Sequence, residues 1–116
     1  MKSSVQSADN SANLYKYIDL IRTRPGMYIG GNSVRLLACH LDGYEAACRW
    51  KGVEETLFPP WYDFHEYVRA RTGFTESTSG WANMLLKYCG GDEVKALDRF
   101  FVMFDAFRSE DRKIYA

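Results

Sequence analysis

The chain has 116 residues, enough for one compact domain and too few for a second core of useful size. Hydrophobic residues make up 47% of it, with eight Tyr, seven Phe and three Trp, which excludes a disordered chain. Fifteen basic side chains against fifteen acidic ones give a formal charge of zero, so the balance argues against a large basic face for nucleic acid.

In chain order, residues 1–12 are rich in Ser, Asn, Asp and Gln and read as a flexible leader, followed by a single helical domain over residues 13–116. From Asn13, the apolar set Leu14, Tyr17, Ile18 and Ile21 follows one helix face until Pro25-Gly26 stops it. The next segment, Arg22 to Gly31, predicts a turn and a brief extended stretch over Met27 to Ile29, because residues before a proline avoid the helical region. Ser33 is a capping candidate for a second helix running to Gly52, with Val34, Leu37, Leu41, Tyr44 and Cys48 on one stripe. Gly43, inside that helix, predicts close approach of another backbone.

Residues 54–60 form a connection, and Pro60 suits the first position of a third helix that carries Trp61, Phe64 and Val68 to about Arg71. A polar loop from Thr72 to Gly80 precedes a fourth helix bearing Trp81, Met84, Leu85 and Tyr88. Gly90-Gly91 closes it, and Asp92 can cap a fifth, with Val94, Leu97, Phe101 and Phe104 as its seam and Phe100 and Phe107 flanking. The expected architecture is all-α, a compact single-domain bundle of about five helices whose aromatics are consumed mainly in the core. No apolar run reaches the length of a membrane span and no hydrophobic signal core opens the chain, so the expected location is the cytoplasm.

Cys39, Cys48 and Cys89 belong to no Cys-x-x-Cys unit and fall within helical patterns, where reduced thiols act as buried apolar groups. His40 and His65 lack the spacing of a ligand pair, so neither a metal nor a cofactor is expected. No nucleophile stands beside a base by spacing, and an enzyme is not expected.

Residues 1–50 hold six basic and four acidic side chains, a charge of plus two, and the remainder holds nine basic and eleven acidic, minus two. Within that acidic part, Glu54, Glu55, Trp61, Tyr62, Asp63 and Glu66 place carboxylates beside large aromatics around Pro59-Pro60. Those six residues are the candidate partner-binding set, because aromatic anchors rimmed by acids receive a basic protein by steering and central burial.

Two resemblances accompany this reading. Arg24-Pro25-Gly26-Met27-Tyr28-Ile29-Gly30 resembles the signature near the start of the ATPase domain of type II topoisomerase B subunits, members of the GHKL ATPases. That match implies an alternative, a nucleotide-binding module or other small helical enzyme or regulatory module. The family's catalytic Glu with an Asn four residues later, and its Asp-x-Gly-x-Gly loop, are absent from this sequence. Over a wider span, that segment, Leu41 to Ala47, Asp63 to Val68, Ser79 to Ala82 and Gly90 to Ala96, in that order, are similar to small bacterial immunity proteins of contact-dependent and other polymorphic toxin systems. This likeness implies a cytosolic antitoxin that binds a cognate toxin domain, a nuclease by expectation, and uses no cofactor.

Overall fold

A computed structural model describes residues 12–75 and 80–115, with side chains described as far as Ser109. All but the last residue of the expected leader lies outside that span. Six helices and no strand are found among the described residues: α1 (Leu14–Thr23), α2 (Pro25–Ile29), α3 (Val34–Lys51), α4 (Asp63–Thr72), α5 (Gly80–Tyr88) and α6 (Glu93–Tyr115). The domain is all-α, as the periodicities predict. No helix among the described residues is long and apolar enough to cross a membrane.

The helix starts follow the capping chemistry. The Asn13 side chain accepts from the Lys16 amide at 3.0 Å, Ser33 Oγ accepts from the Leu36 amide at 3.1 Å, and Asp92 accepts from the amides of Val94 and Lys95. At the end of α3, Gly52 has φ of 71° and the Val53 amide returns to the Cys48 carbonyl at 2.8 Å, a turn that L side chains rarely permit.

Two stretches depart from expectation. Met27 to Ile29 is not extended: Pro25 occupies the first helical position, where its missing amide costs nothing, and the amides of Met27 and Tyr28 close onto the Arg24 carbonyl. Arg24 takes a non-helical backbone, φ −151° and ψ 71°, in keeping with the bar that a following proline places on the helical region. The helix expected from Pro60 acquires its α pitch only at Asp63. Residues 60–62 instead form a tighter turn, with the Asp63 amide on the Pro60 carbonyl and the Phe64 amide on that of Trp61.

The core is an aromatic nucleus centred on Phe64, which is fully buried. Trp61 stacks on it at 5.0 Å, while Phe100, Phe107 and Trp81 meet it edge-on at 5.4, 5.2 and 5.6 Å. Tyr15 of α1 joins through Phe104 at 5.1 Å, and its hydroxyl donates to the Pro59 carbonyl. The inward seam of α6 is therefore Ala96, Leu97, Phe100, Met103, Phe104 and Phe107, whereas the predicted Val94 is exposed and Phe101 half-buried. Helix α6 has apolar residues on two adjoining faces, and the ring stack offered by Phe64 selects the one with Phe100.

Polar contacts then tie α1 to α6. Arg22 forks onto Asp105 at 2.9 and 2.7 Å, and Arg108 forks onto Asp19 at 3.1 and 2.8 Å while lying 4.2 Å over the Phe104 ring. Hydrogen bonds from Arg22 hold the Asp105 carboxyl below its usual range, with Arg108 adding to the effect. A carboxyl whose folded pKa is depressed stabilises the fold above the unfolded value of about 3.9, and that contribution disappears as pH falls through the folded pKa. In urea denaturation between about pH 5 and pH 2, Arg22→Gln should flatten the acid limb of stability. Asp105 is half-exposed, so the difference should stay within about 1 kcal/mol. An acid limb identical in both proteins would contradict this assignment.

Candidate functional site

The six candidate residues lie along the connection from α3 to α4 and in the first turn of α4, where the structure sorts them into supports and exposed groups. Glu55 is a support. Its carboxylate accepts from the Leu14 amide at 2.8 Å, which is one of the donors left without a partner at the start of α1, and from the Tyr44 hydroxyl on α3. Placed at the positive end of α1, its charge also meets a favourable dipole. Trp61 is a second support, half-buried between Tyr15, Phe64, Trp81 and Phe104.

Tyr62 is different. It is the residue immediately before α4, is 81% exposed, and has Glu66 one turn further along the same side of the helix. Phe58, 53% exposed, and the exposed Glu54 stand on the same connection, and Asp63 is half-buried in the first turn of α4. Glu66 carries an ion pair with Arg69, whose Nε lies 2.9 Å from both carboxylate oxygens, and that hydrogen bonding holds the Glu66 carboxyl below its usual range. Arg69 also donates to the Phe74 carbonyl at 2.8 Å, which fixes the fork from behind. The Glu66 carboxylate is thus already shared with a cation.

Beside Glu55, an open hollow of about 190 Å³ is lined by Leu14, Tyr44, Glu45, Cys48, Arg49 and Leu57. Its titratable groups Tyr44, Glu45 and Cys48 are shifted toward their neutral forms. Burial and the hydrogen bond to Glu55 push the Tyr44 phenol far up, burial and Asp42 raise Glu45, and desolvation with Glu55 raises the Cys48 thiol. A thiol moved away from thiolate in an acidic setting is the opposite of an activated nucleophile. The three cysteines are free, and they are less buried than their helical positions predict: Cys39 is exposed, and Cys48 and Cys89 are intermediate. The inward stripe of α3 passes through Leu37 and Leu41, which leaves Cys39 on the outer side. His40 Nε2 is 2.6 Å from the Tyr17 hydroxyl, and His65 is half-buried on α4. Among the described residues, no three His, Cys, Asp or Glu side chains gather as a metal site would require.

Comparison with protein-family models, with curated proteins and with solved structures finds no match. The segment Arg24 to Gly30 has a local structural use: it makes the short helix α2, buries Ile29, and sets Tyr28 edge-on to Tyr17 at 6.3 Å.

Sequence reasoning grouped Glu54 with Glu55 and Trp61 with Tyr62, because adjacency in the chain does not tell which neighbour turns inward. Tyr44 was the missed partner of Glu55, and Arg69, three residues after Glu66, was a legible one. Glu55→Ala should lower the unfolding free energy by about 1–2 kcal/mol, since it leaves the Leu14 amide and the Tyr44 hydroxyl unanswered. Glu54→Ala should stay within about 0.5 kcal/mol, and equal losses at the two positions in chemical denaturation would contradict the distinction.

Proposed function

We propose that this chain is a binding protein of the immunity type, which neutralises a basic toxin domain, a nuclease by expectation, through surface contact. The observation that carries the reading is Tyr62: a large aromatic, 81% exposed, on a domain whose other described rings are mostly buried or half-buried. An exposed tyrosine has a rigid apolar body and a polar tip, and loses little freedom when a partner covers it.

The surroundings suit a basic partner. Glu66 shares the side of α4 that Tyr62 begins, Asp63 lies between them in sequence, and Glu54 and Phe58 extend the surface along the connection. Opposed charge of this kind accelerates encounter and disfavours acidic competitors, while the aromatic anchor supplies residence time. Glu55 and Trp61 serve the same surface indirectly, by holding the connection against α1, α3 and the aromatic nucleus. The likeness to immunity proteins in the order of its segments supports the choice of a toxin over other basic proteins.

The test pairs the chain with the toxin domain encoded immediately beside it. Isothermal titration should give a stable complex at micromolar or lower concentration, with loss of the toxin's nuclease activity. Tyr62→Ala should raise Kd by about 30-fold, equivalent to about 2 kcal/mol, at unchanged protein stability. Absence of association at micromolar concentration would overturn the reading, and a complex indifferent to Tyr62→Ala would move the interface away from α4.

A further inference from the structure

The outer face of α3 carries a second feature that neither the core nor the surface around Tyr62 uses. Leu36, Cys39, Gly43, Ala46 and Trp50 recur at alternating intervals of three and four, the a and d positions of a helix seam, and all five are exposed. Val53 continues the stripe just past the Gly52 cap and is also exposed. Trp50 is 90% exposed, more than any other large hydrophobic side chain described. Gly43 was expected to admit a neighbouring backbone, yet a Cβ built there meets nothing within 4 Å among the described residues, so no described segment occupies the gap its missing side chain leaves.

The stripe is bulky at its ends and small at its middle, and this shape is complementary to itself when reversed. If two α3 helices cross antiparallel about a two-fold axis between Tyr44 and Glu45, Trp50 of one copy falls on Cys39 and the Gly43 gap of the other, and Gly43 faces Ala46. Both contacts recur by symmetry. Leu36 is then brought toward Val53 at each end.

Charge fixes the direction. The residues preceding the a positions, which flank such a seam, are Arg35, Asp42 and Arg49, all exposed. Arg35 is already held by Glu93, with its Nε 2.7 Å from the carboxylate. Asp42 and Arg49 form no ion pair among the described residues. In the antiparallel register Asp42 of each copy lies beside Arg49 of the other, giving two reciprocal ion pairs. A parallel register would place Asp42 beside Ala47 instead, and would set Arg49 opposite position 54, which lies beyond the end of α3 at Gly52.

We propose that the outer face of α3 is a self-association surface, occupied by the same face of a second copy in antiparallel orientation with Trp50 as the anchor. This inference rests on the shape and charge of α3 and is independent of the toxin-binding reading.

Sedimentation velocity on the full chain from roughly 1 to 200 micromolar should show a monomer converting to a dimer. Trp50→Glu should weaken the dimer at least about tenfold without altering the monomer's far-ultraviolet dichroism. Asp42→Arg alone and Arg49→Asp alone should each weaken it, by placing like charges together, and the double variant should restore affinity to within about threefold of the natural chain. A monomer throughout that range, or a dimer indifferent to Trp50→Glu, would overturn the proposal. Failure of the double variant to recover would overturn the antiparallel register even if Trp50→Glu never yielded folded protein.

Discussion

Phe64 receives rings from almost every direction, and the arrangement of the whole domain follows from that. Trp61 stacks upon it from the turn before α4, Trp81 reaches it from α5, and Phe100, Phe104 and Phe107 approach from three successive positions on α6. Tyr15 brings α1 into the same cluster through Phe104 and Trp61. Edge-on and offset ring contacts are directional, so a nucleus of this type determines the rotation of each helix about its own axis as well as the fact of contact. The choice of Phe100 over Phe101 as an inward residue on α6 is one result of that selectivity.

Once the rings are committed to the interior, the polar groups divide into two kinds. Some complete the nucleus from outside: the carboxylates of Asp19 and Asp105 bracket the Arg22 and Arg108 guanidiniums where α1 meets α6, Glu93 joins Ser33 and Arg35 at the start of α3, and Glu55 caps α1 from 41 residues away. Others stand away from it. Tyr62 with Glu66 on α4 and Trp50 with Asp42 and Arg49 on α3 are exposed on well-formed helices or at their edges. Desolvation, with Glu55 and Glu45 nearby, raises the Cys48 thiol, so thiolate is disfavoured there.

Much of the fold was legible in the residues, for identifiable reasons. Caps at Asn13, Ser33 and Asp92 and the glycines at 52 and 90–91 announce helix boundaries through local hydrogen bonding, which is a property of short sequence. The α3 stripe of Val34, Leu37 and Leu41 faces inward as its spacing requires. What was not legible depends on partners distant in sequence. The helical turn at Pro25 competes closely with an extended one, the twist of α6 is decided by Phe64 some 36 residues earlier, and Glu55 differs from Glu54 only because Leu14 and Tyr44 are brought to one of them. Trp50 carried a local signal, since it falls off the buried stripe of its own helix, but only the structure shows that no other described residue covers it.

The central claim is that α1, α4, α5 and α6 form one cooperative unit through the nucleus at Phe64. Native-state amide hydrogen exchange across a series of low denaturant concentrations measures this directly. Amides of residues 18–22, 66–71, 83–88 and 99–107 should share the highest opening free energy, equal to that of global unfolding, and lose protection with a common dependence on denaturant. If the amides of α4 or α1 instead open separately at a distinctly lower free energy, the nucleus does not unite the domain and the account fails.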